Sequence, residues 1–182
     1  MKMVETGFEG LWVIEPSVFH DSRGFFFEGY NKSRFESNGL NYEWIQDNQS
    51  HSNYGVIRGL HFQKIPYAQT KLVRVLQGAI YDVVVDLRKD KSTFGKSYAL
   101  ELSASNFLQL LVPKGFAHGF SVLSESADVL YKCDAPYNKE SESGLLYNDP
   151  ILAIDWRIPA GKEVVSDKDL ILPHFQQSGF GF

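Results

Sequence analysis

The chain has 182 residues, a formal net charge of −4, 14% aromatic residues and a single cysteine, Cys133. That length suits one domain, residues 1–182, with a sizeable core; the acidic balance argues against a nucleic-acid partner, and a lone thiol excludes an intrachain disulfide. Met1-Lys2-Met3-Val4-Glu5 lacks the apolar stretch of a signal peptide and no apolar run reaches membrane-spanning length, so a soluble cytoplasmic protein without membrane contact is expected.

In chain order, Asp21-Ser22-Arg23-Gly24-Phe25-Phe26-Phe27-Glu28 combines a turn, an arginine and clustered aromatics. Arginine suits bidentate phosphate contact and phenylalanine can stack on a base, although the same residues describe a surface hairpin. Asn31 is predicted to cap a short helix that runs through Phe35 and ends near Gly39. Arg58-Gly59-Leu60-His61-Phe62-Gln63 reads as a strand with His61 and Gln63 on one face. Arg58 and His61 have opposite parity, so both face one way only if the strand bends at Gly59. Leu72–Leu76 and Val83–Val85 read as strands around a Gln77-Gly78 hairpin turn. Leu100-Glu101-Leu102 and Val129–Cys133 alternate. Lys71, Val73 and Val75 share a face, as do Val129, Tyr131 and Cys133. Ser166-Asp167-Lys168-Asp169 is predicted to open a helical turn. Many short strands between Gly, Pro, Asn and Ser clusters, with few short helices, predict an all-β sandwich or jelly roll.

Four side chains carry the chemistry. An unperturbed imidazole changes charge near neutral pH, so His61 suits a general base; the bland alternative is a half-buried strand histidine bonded to backbone. His61 needs a partner to fix its tautomer, and Asp169 is a candidate, but Asp169 is also the capping-box acid three residues after Ser166, and one carboxylate does not easily hold both roles. Tyr131 could return a proton from the opposite face of a ring, against the alternative of an ordinary inward aromatic. Lys71 could hold an oxyanion, against the alternative of an edge-strand lysine facing water. Parity allows His61, Lys71 and Tyr131 to line one interior.

Pro113-Lys114-Gly115-Phe116-Ala117-His118 resembles the second motif of the cupin superfamily. Metal-binding cupins carry His-x-His followed by Glu in the first motif; here the matching stretch is His61-Phe62-Gln63, with Tyr67 and Ala68 where the acid would fall. Two lone histidines do not fill a three- or four-ligand site, so no catalytic metal is expected. No Walker loop, GxGxxG element or Gly-x-Ser-x-Gly elbow is present.

Taken in order, the segments Asp21–Phe26 with Glu28, Gln46-Asp47-Asn48, Arg58–His61, Lys71–Val75, Asp82–Arg88, Thr93–Lys96, Pro113–Phe120, Tyr131-Lys132, Asn148-Asp149-Pro150 and Ser166–Asp169 resemble the dTDP-4-dehydrorhamnose 3,5-epimerase family from about Phe8 to Pro173. The resemblance implies a cupin-type jelly roll that forms a homodimer through its sheets. It implies cofactor-free epimerisation of dTDP-4-dehydro-6-deoxy-D-glucose at C3 and C5. His61 would be the base, Asp169 its orienting partner, Tyr131 the acid and Lys71 the oxyanion donor. Arg23, Glu28, Gln46, Asn48, Arg58, His118, Glu142 and Lys168 would contact nucleotide, diphosphate or sugar, with Phe19, Phe26 and Tyr137 packing on thymine or deoxyribose. The competing readings are an epimerase that inverts only one carbon, a silent sugar-nucleotide-binding sandwich, and a metal-dependent cupin oxygenase.

Overall fold

The computed structural model describes residues 1–177 and Phe182; residues 178–181 of the expected 1–182 domain lie outside the described residues. The strands are β1 (Lys2–Glu5), β2 (Trp12–Glu15), β3 (Phe19–Asp21), β4 (Gly24–Phe26), β5 (Gln46–Asn53), β6 (Val56–Gln63), β7 (Lys71–Gln77), β8 (Ala79–Asp86), β9 (Ser97–Ser103), β10 (Gln109–Val112), β11 (Phe116–Val122), β12 (Ser126–Cys133), β13 (Glu142–Gly144) and β14 (Val164–Val165). Two short helices, α1 (Lys32–Ser37) and α2 (Asp167–Leu170), and a 3-10 turn (Phe175–Gln177) complete the described elements.

Two sheets face each other. One runs β1-β2-β10-β7-β12-β5, the other β13-β6-β11-β8-β9 with β14 beside β6, and β3–β4 forms a separate hairpin. Every pairing is antiparallel except β14 with β6. From β5 to β13 the chain changes sheet at each connection but one, β8 to β9. The fold is the expected cupin-type jelly roll.

Period-two alternation sorts the side chains into three apolar layers. Val73, Val75, Leu110 and Val129 of the first sheet meet Ile80, Val84, Phe120 and Val122 of the second to form the central core. Residues one step out of phase face outward. Leu72 and Leu111 pack under Phe35 and Leu40 around α1. Val83, Val85 and Ala117 pack under Leu145, Leu152 and Trp156 of the C-terminal segment.

The expected helix ends are present: Asn31 Oδ1 accepts from Arg34 N, and Ser166 Oγ accepts from Asp169 N. One turn assignment is corrected. Gln77-Gly78 does not close a hairpin, because β7 lies in the first sheet between β10 and β12 while β8 lies in the second between β11 and β9. Gly78 is instead a corner between sheets. Its φ is +76°, and a Cβ there would collide with Ser126 O. The local residues are those of a hairpin turn; the partners that decide the pairing are far away in sequence.

Candidate active site

The site begins with an irregularity in β6. In the register with β11, His61 pairs with His118 and Arg58 with Phe120, so three steps on β6 oppose two on β11. This β-bulge reverses the parity of the strand between Arg58 and His61. Both side chains therefore face the interior, as the sequence required of Gly59. That glycine has φ +127°, and a Cβ on it would stand 2.5 Å from Gly119 Cα. Two glycines on adjacent strands give the bulge its room.

β14 runs parallel to the start of β6 and delivers α2 to the bulge. There the expected conflict over Asp169 is resolved by dividing the residue. Its backbone N–H meets the Ser166 cap, while its carboxylate accepts from His61 Nε2 at 2.7 Å and from Gly59 N at 3.4 Å. Burial raises the Asp169 pKa, but the bond and charge of His61, with the Gly59 and Ser166 bonds, outweigh it and hold the carboxyl below its ordinary value. A carboxylate accepts only, so the imidazole proton sits on Nε2 and the Nδ1 lone pair is free.

Lys71 and Tyr131 come from the opposite sheet. β7 is an interior strand of that sheet, so Lys71 is no edge lysine. Burial pushes its pKa down, against the opposing charges of Cys133, Asp82 and Glu142. Its Nζ lies 5.8 Å from the centre of the Tyr131 ring. Burial raises the Tyr131 pKa, so the phenol keeps its proton until a strong base takes it. His61, Lys71 and Tyr131 stand where two cavities meet. One, of about 310 Å³, is also lined by Gln46, Asn48, Gln63, Gln69, Tyr137 and Glu142. The other, of about 490 Å³, is also lined by Ser50, Arg58, His118, Phe120, Lys168 and Asp169. A base on one wall, a phenol and an ammonium on the other, and a continuous groove between them suit removal and return of a proton on carbon beside a carbonyl.

A family model described as dTDP-4-dehydrorhamnose 3,5-epimerase matches residues 5–177. The chain belongs to the dTDP-4-dehydrorhamnose 3,5-epimerase family. A relative of that name from Escherichia coli K12 is 48% identical over 170 residues, covering 93% of this chain and 91% of the relative. The crystal structure of a dTDP-4-dehydrorhamnose 3,5-epimerase from Elizabethkingia anophelis NUHP1 superposes with a TM-score of 0.92 at 54% identity, over 97% of each chain. The dTDP-6-deoxy-D-glucose-3,5-epimerase of Legionella pneumophila Philadelphia 1, in complex with dTDP-4-keto-L-rhamnose, superposes with a TM-score of 0.92 at 44% identity, over 98% of this chain and 94% of that one.

In this chain the groove gathers Gln46, Asn48, Arg58, His118, Tyr137, Glu142 and Lys168 around His61, Tyr131 and Lys71. Most are already braced. Arg58 donates from Nε to Ser52 Oγ at 2.9 Å and from a terminal nitrogen to His51 O at 3.2 Å. Lys168 Nζ lies 2.6 Å from Glu142, whose other oxygen accepts from Tyr137 Oη at 2.8 Å. Gln46 donates to Asn48 at 2.9 Å and accepts from Tyr137 N at 3.1 Å. The structure does not bring Arg23, Phe19, Phe26 and Glu28 into the groove. Arg23 lies on the exposed β3–β4 hairpin against Asp21 at 2.6 Å, while Phe19, Phe26 and Glu28 line a separate cavity with Asn31, Arg34 and Gln109.

Two polar residues matter to which the sequence alone assigned no role. Asp82 is fully buried and takes His118 Nε2 at 2.9 and 3.0 Å. An acid in the apolar run Ala79–Val85 was the available signal. Gln63, also buried, donates to Tyr67 O and Pro136 O and accepts from Asn138 N, which fixes the loop that carries Tyr137. Each site histidine is thus committed to a carboxylate, and among the described residues no group of three or more His, Cys, Asp or Glu is arranged to hold a metal ion.

Proposed function

We propose that this protein is a single-domain, cytoplasmic isomerase that converts dTDP-4-dehydro-6-deoxy-D-glucose to dTDP-4-dehydro-L-rhamnose with no cofactor or metal. The observation that carries the reading is the groove junction, where a carboxylate-bonded imidazole faces a phenol and a half-buried ammonium.

The C4 ketone acidifies the C–H bonds at both C3 and C5. In a gluco-configured ring those two hydrogens lie on the same face. One base on that face therefore serves both carbons, and one acid on the other face inverts both. His61 Nδ1 takes the proton, and Asp169 stabilises the imidazolium that forms. The electron pair moves to O4, where Lys71 Nζ stabilises the enolate; a donor of this kind is worth roughly 10²–10³-fold in rate. Tyr131 Oη then protonates the carbon from the far side. Each inversion leaves His61 with one extra proton and Tyr131 with one fewer, and exchange with solvent resets both. Lys71 beside the Tyr131 ring stabilises the transient phenolate. Arg58 and Lys168 are the cations available to the diphosphate.

The molecule is further proposed to work as a homodimer. Phe19, Phe25 and Phe26 are exposed on the hairpin, and Arg23 and Phe26, which suit a nucleotide, do not line the groove of their own chain. A second copy supplying this hairpin would bring them to the substrate. Sedimentation measures the assembly: a species of twice the chain mass is expected, and a monomer at working concentration would contradict it.

The reaction is tested by NMR of the enzyme with dTDP-4-dehydro-6-deoxy-D-glucose in D₂O. Deuterium at C3 and C5 with a rhamno-configured product is expected. Label and inversion at one carbon would identify a mono-epimerase, and no label would identify a binding protein.

A further inference from the structure

We propose that the Ser50 hydroxyl is a substrate ligand, holding the anomeric end of the hexose at the oxygen that joins C1 to the diphosphate. This rests on the function proposed above. The motive is an imbalance on β5. That strand turns Gln46, Asn48, Ser50 and Ser52 toward the interior, on alternate residues. Three of the four are occupied by protein. Gln46 holds Asn48 and the Tyr137 amide, Asn48 donates to Cys133 Sγ at 3.6 Å, and Ser52 Oγ accepts from Arg58. Ser50 Oγ is buried and has no hydrogen-bond partner among the described residues. A buried hydroxyl without a partner is a net cost to the folded protein, and a ligand seated in the groove is the partner that removes it.

The register says which end of the ligand this hydroxyl meets. On the inner face of the first sheet, Lys71 stands opposite Cys133, Tyr131 opposite Asn48, and Ser50 opposite Val129. Along the strands the order is Lys71, then Tyr131, then Ser50. A hexose held over Tyr131 with O4 at Lys71 directs C1, the atom across the ring, toward Ser50. The same cavity holds Arg58, the cation suited to a phosphate. Pinning the ring at O4 and at the C1 oxygen leaves C3 and C5 symmetrically placed about that axis, which is what a single base needs.

The test is Ser50→Ala, read three ways. The free variant is expected to melt at or above the parent temperature, because it loses an unsatisfied hydroxyl. Its KM for the sugar nucleotide is expected to rise about tenfold with a smaller change in kcat. Its affinity for dTDP is expected to fall several-fold, while its affinity for dTMP, which lacks the second phosphate, stays at the parent value. A KM and dTDP affinity equal to the parent's would overturn the assignment. So would a variant that melts well below the parent or fails to fold, since the protein itself would then be using the hydroxyl. Should the parent turn over no 4-ketosugar nucleotide, the functional reading fails, and the dTDP and dTMP affinities still decide whether Ser50 meets that phosphate.

Discussion

Two histidine–carboxylate pairs stand side by side on neighbouring strands and differ chiefly in access. His61 and Asp169 are 32% and 5% exposed at the side chain, His118 and Asp82 8% and 0%. The Nε2 to carboxylate distances are similar, 2.7 and 2.9 Å. The first pair opens on the groove and can gain and lose a proton in contact with solvent. The second lies between the sheets with only the rim of His118 reaching the groove and Asp82 fully covered, where an unpaired charge is expensive. The same two residue types thus stand open to the groove in one place and almost closed off in the other, and burial makes the difference.

The largest expected effect breaks this contrast on the open side. His61→Asn is expected to lower kcat by about 10²–10⁴-fold while changing stability little, measured by turnover beside urea denaturation. On the covered side the balance reverses. His118→Ala strands the Asp82 carboxylate and is expected to cost about 3–5 kcal/mol of folding stability, measured by the urea midpoint; equal loss of stability from both substitutions would erase the distinction. Lys71→Met is expected to cost roughly 10²–10³-fold in kcat with stability unchanged or raised, since a desolvated ammonium is replaced by an apolar chain.

Acidification gives the smallest effect. Asp86 and Asp149 both sit below the ordinary carboxyl range. Burial raises each, but it is outweighed by Arg88 and Thr93 around Asp86, and by the Phe175, Leu152 and Ile151 amides with His174 around Asp149. A depressed carboxyl stabilises the fold above its unfolded value, near pH 4, and that contribution drains away as pH falls through the lower folded value. Urea midpoints are therefore expected to be flat above about pH 5 and to drop below about pH 4, with a shallower drop in Asp86→Asn.

Much of this was legible in the chain. Alternation in β6, β7 and β12 allowed His61, Lys71 and Tyr131 to share one interior, and opposite parity at Arg58 and His61 meant that both could face it only with a bend, which the bulge at Gly59 supplies. The ends of α1 and α2 followed from Asn31 and Ser166. The hairpin at Gly78 did not survive, because local turn chemistry is shared by hairpins and sheet-to-sheet corners. The Asp82–His118 bond was invisible because strand pairing joins residues far apart in sequence. Arg23, Phe19, Phe26 and Glu28 resemble ligand contacts in sequence but lie outside their own groove, a separation that strand patterns do not encode.

The most direct test of His61 as the base for both carbons is hydrogen exchange by the His61→Asn variant in D₂O, with folding verified by circular dichroism. The parent is expected to place deuterium at C3 and C5 of the sugar nucleotide, and the variant at neither within many parent turnover times. Deuterium appearing at either carbon in the variant at the parent's rate would contradict the assignment.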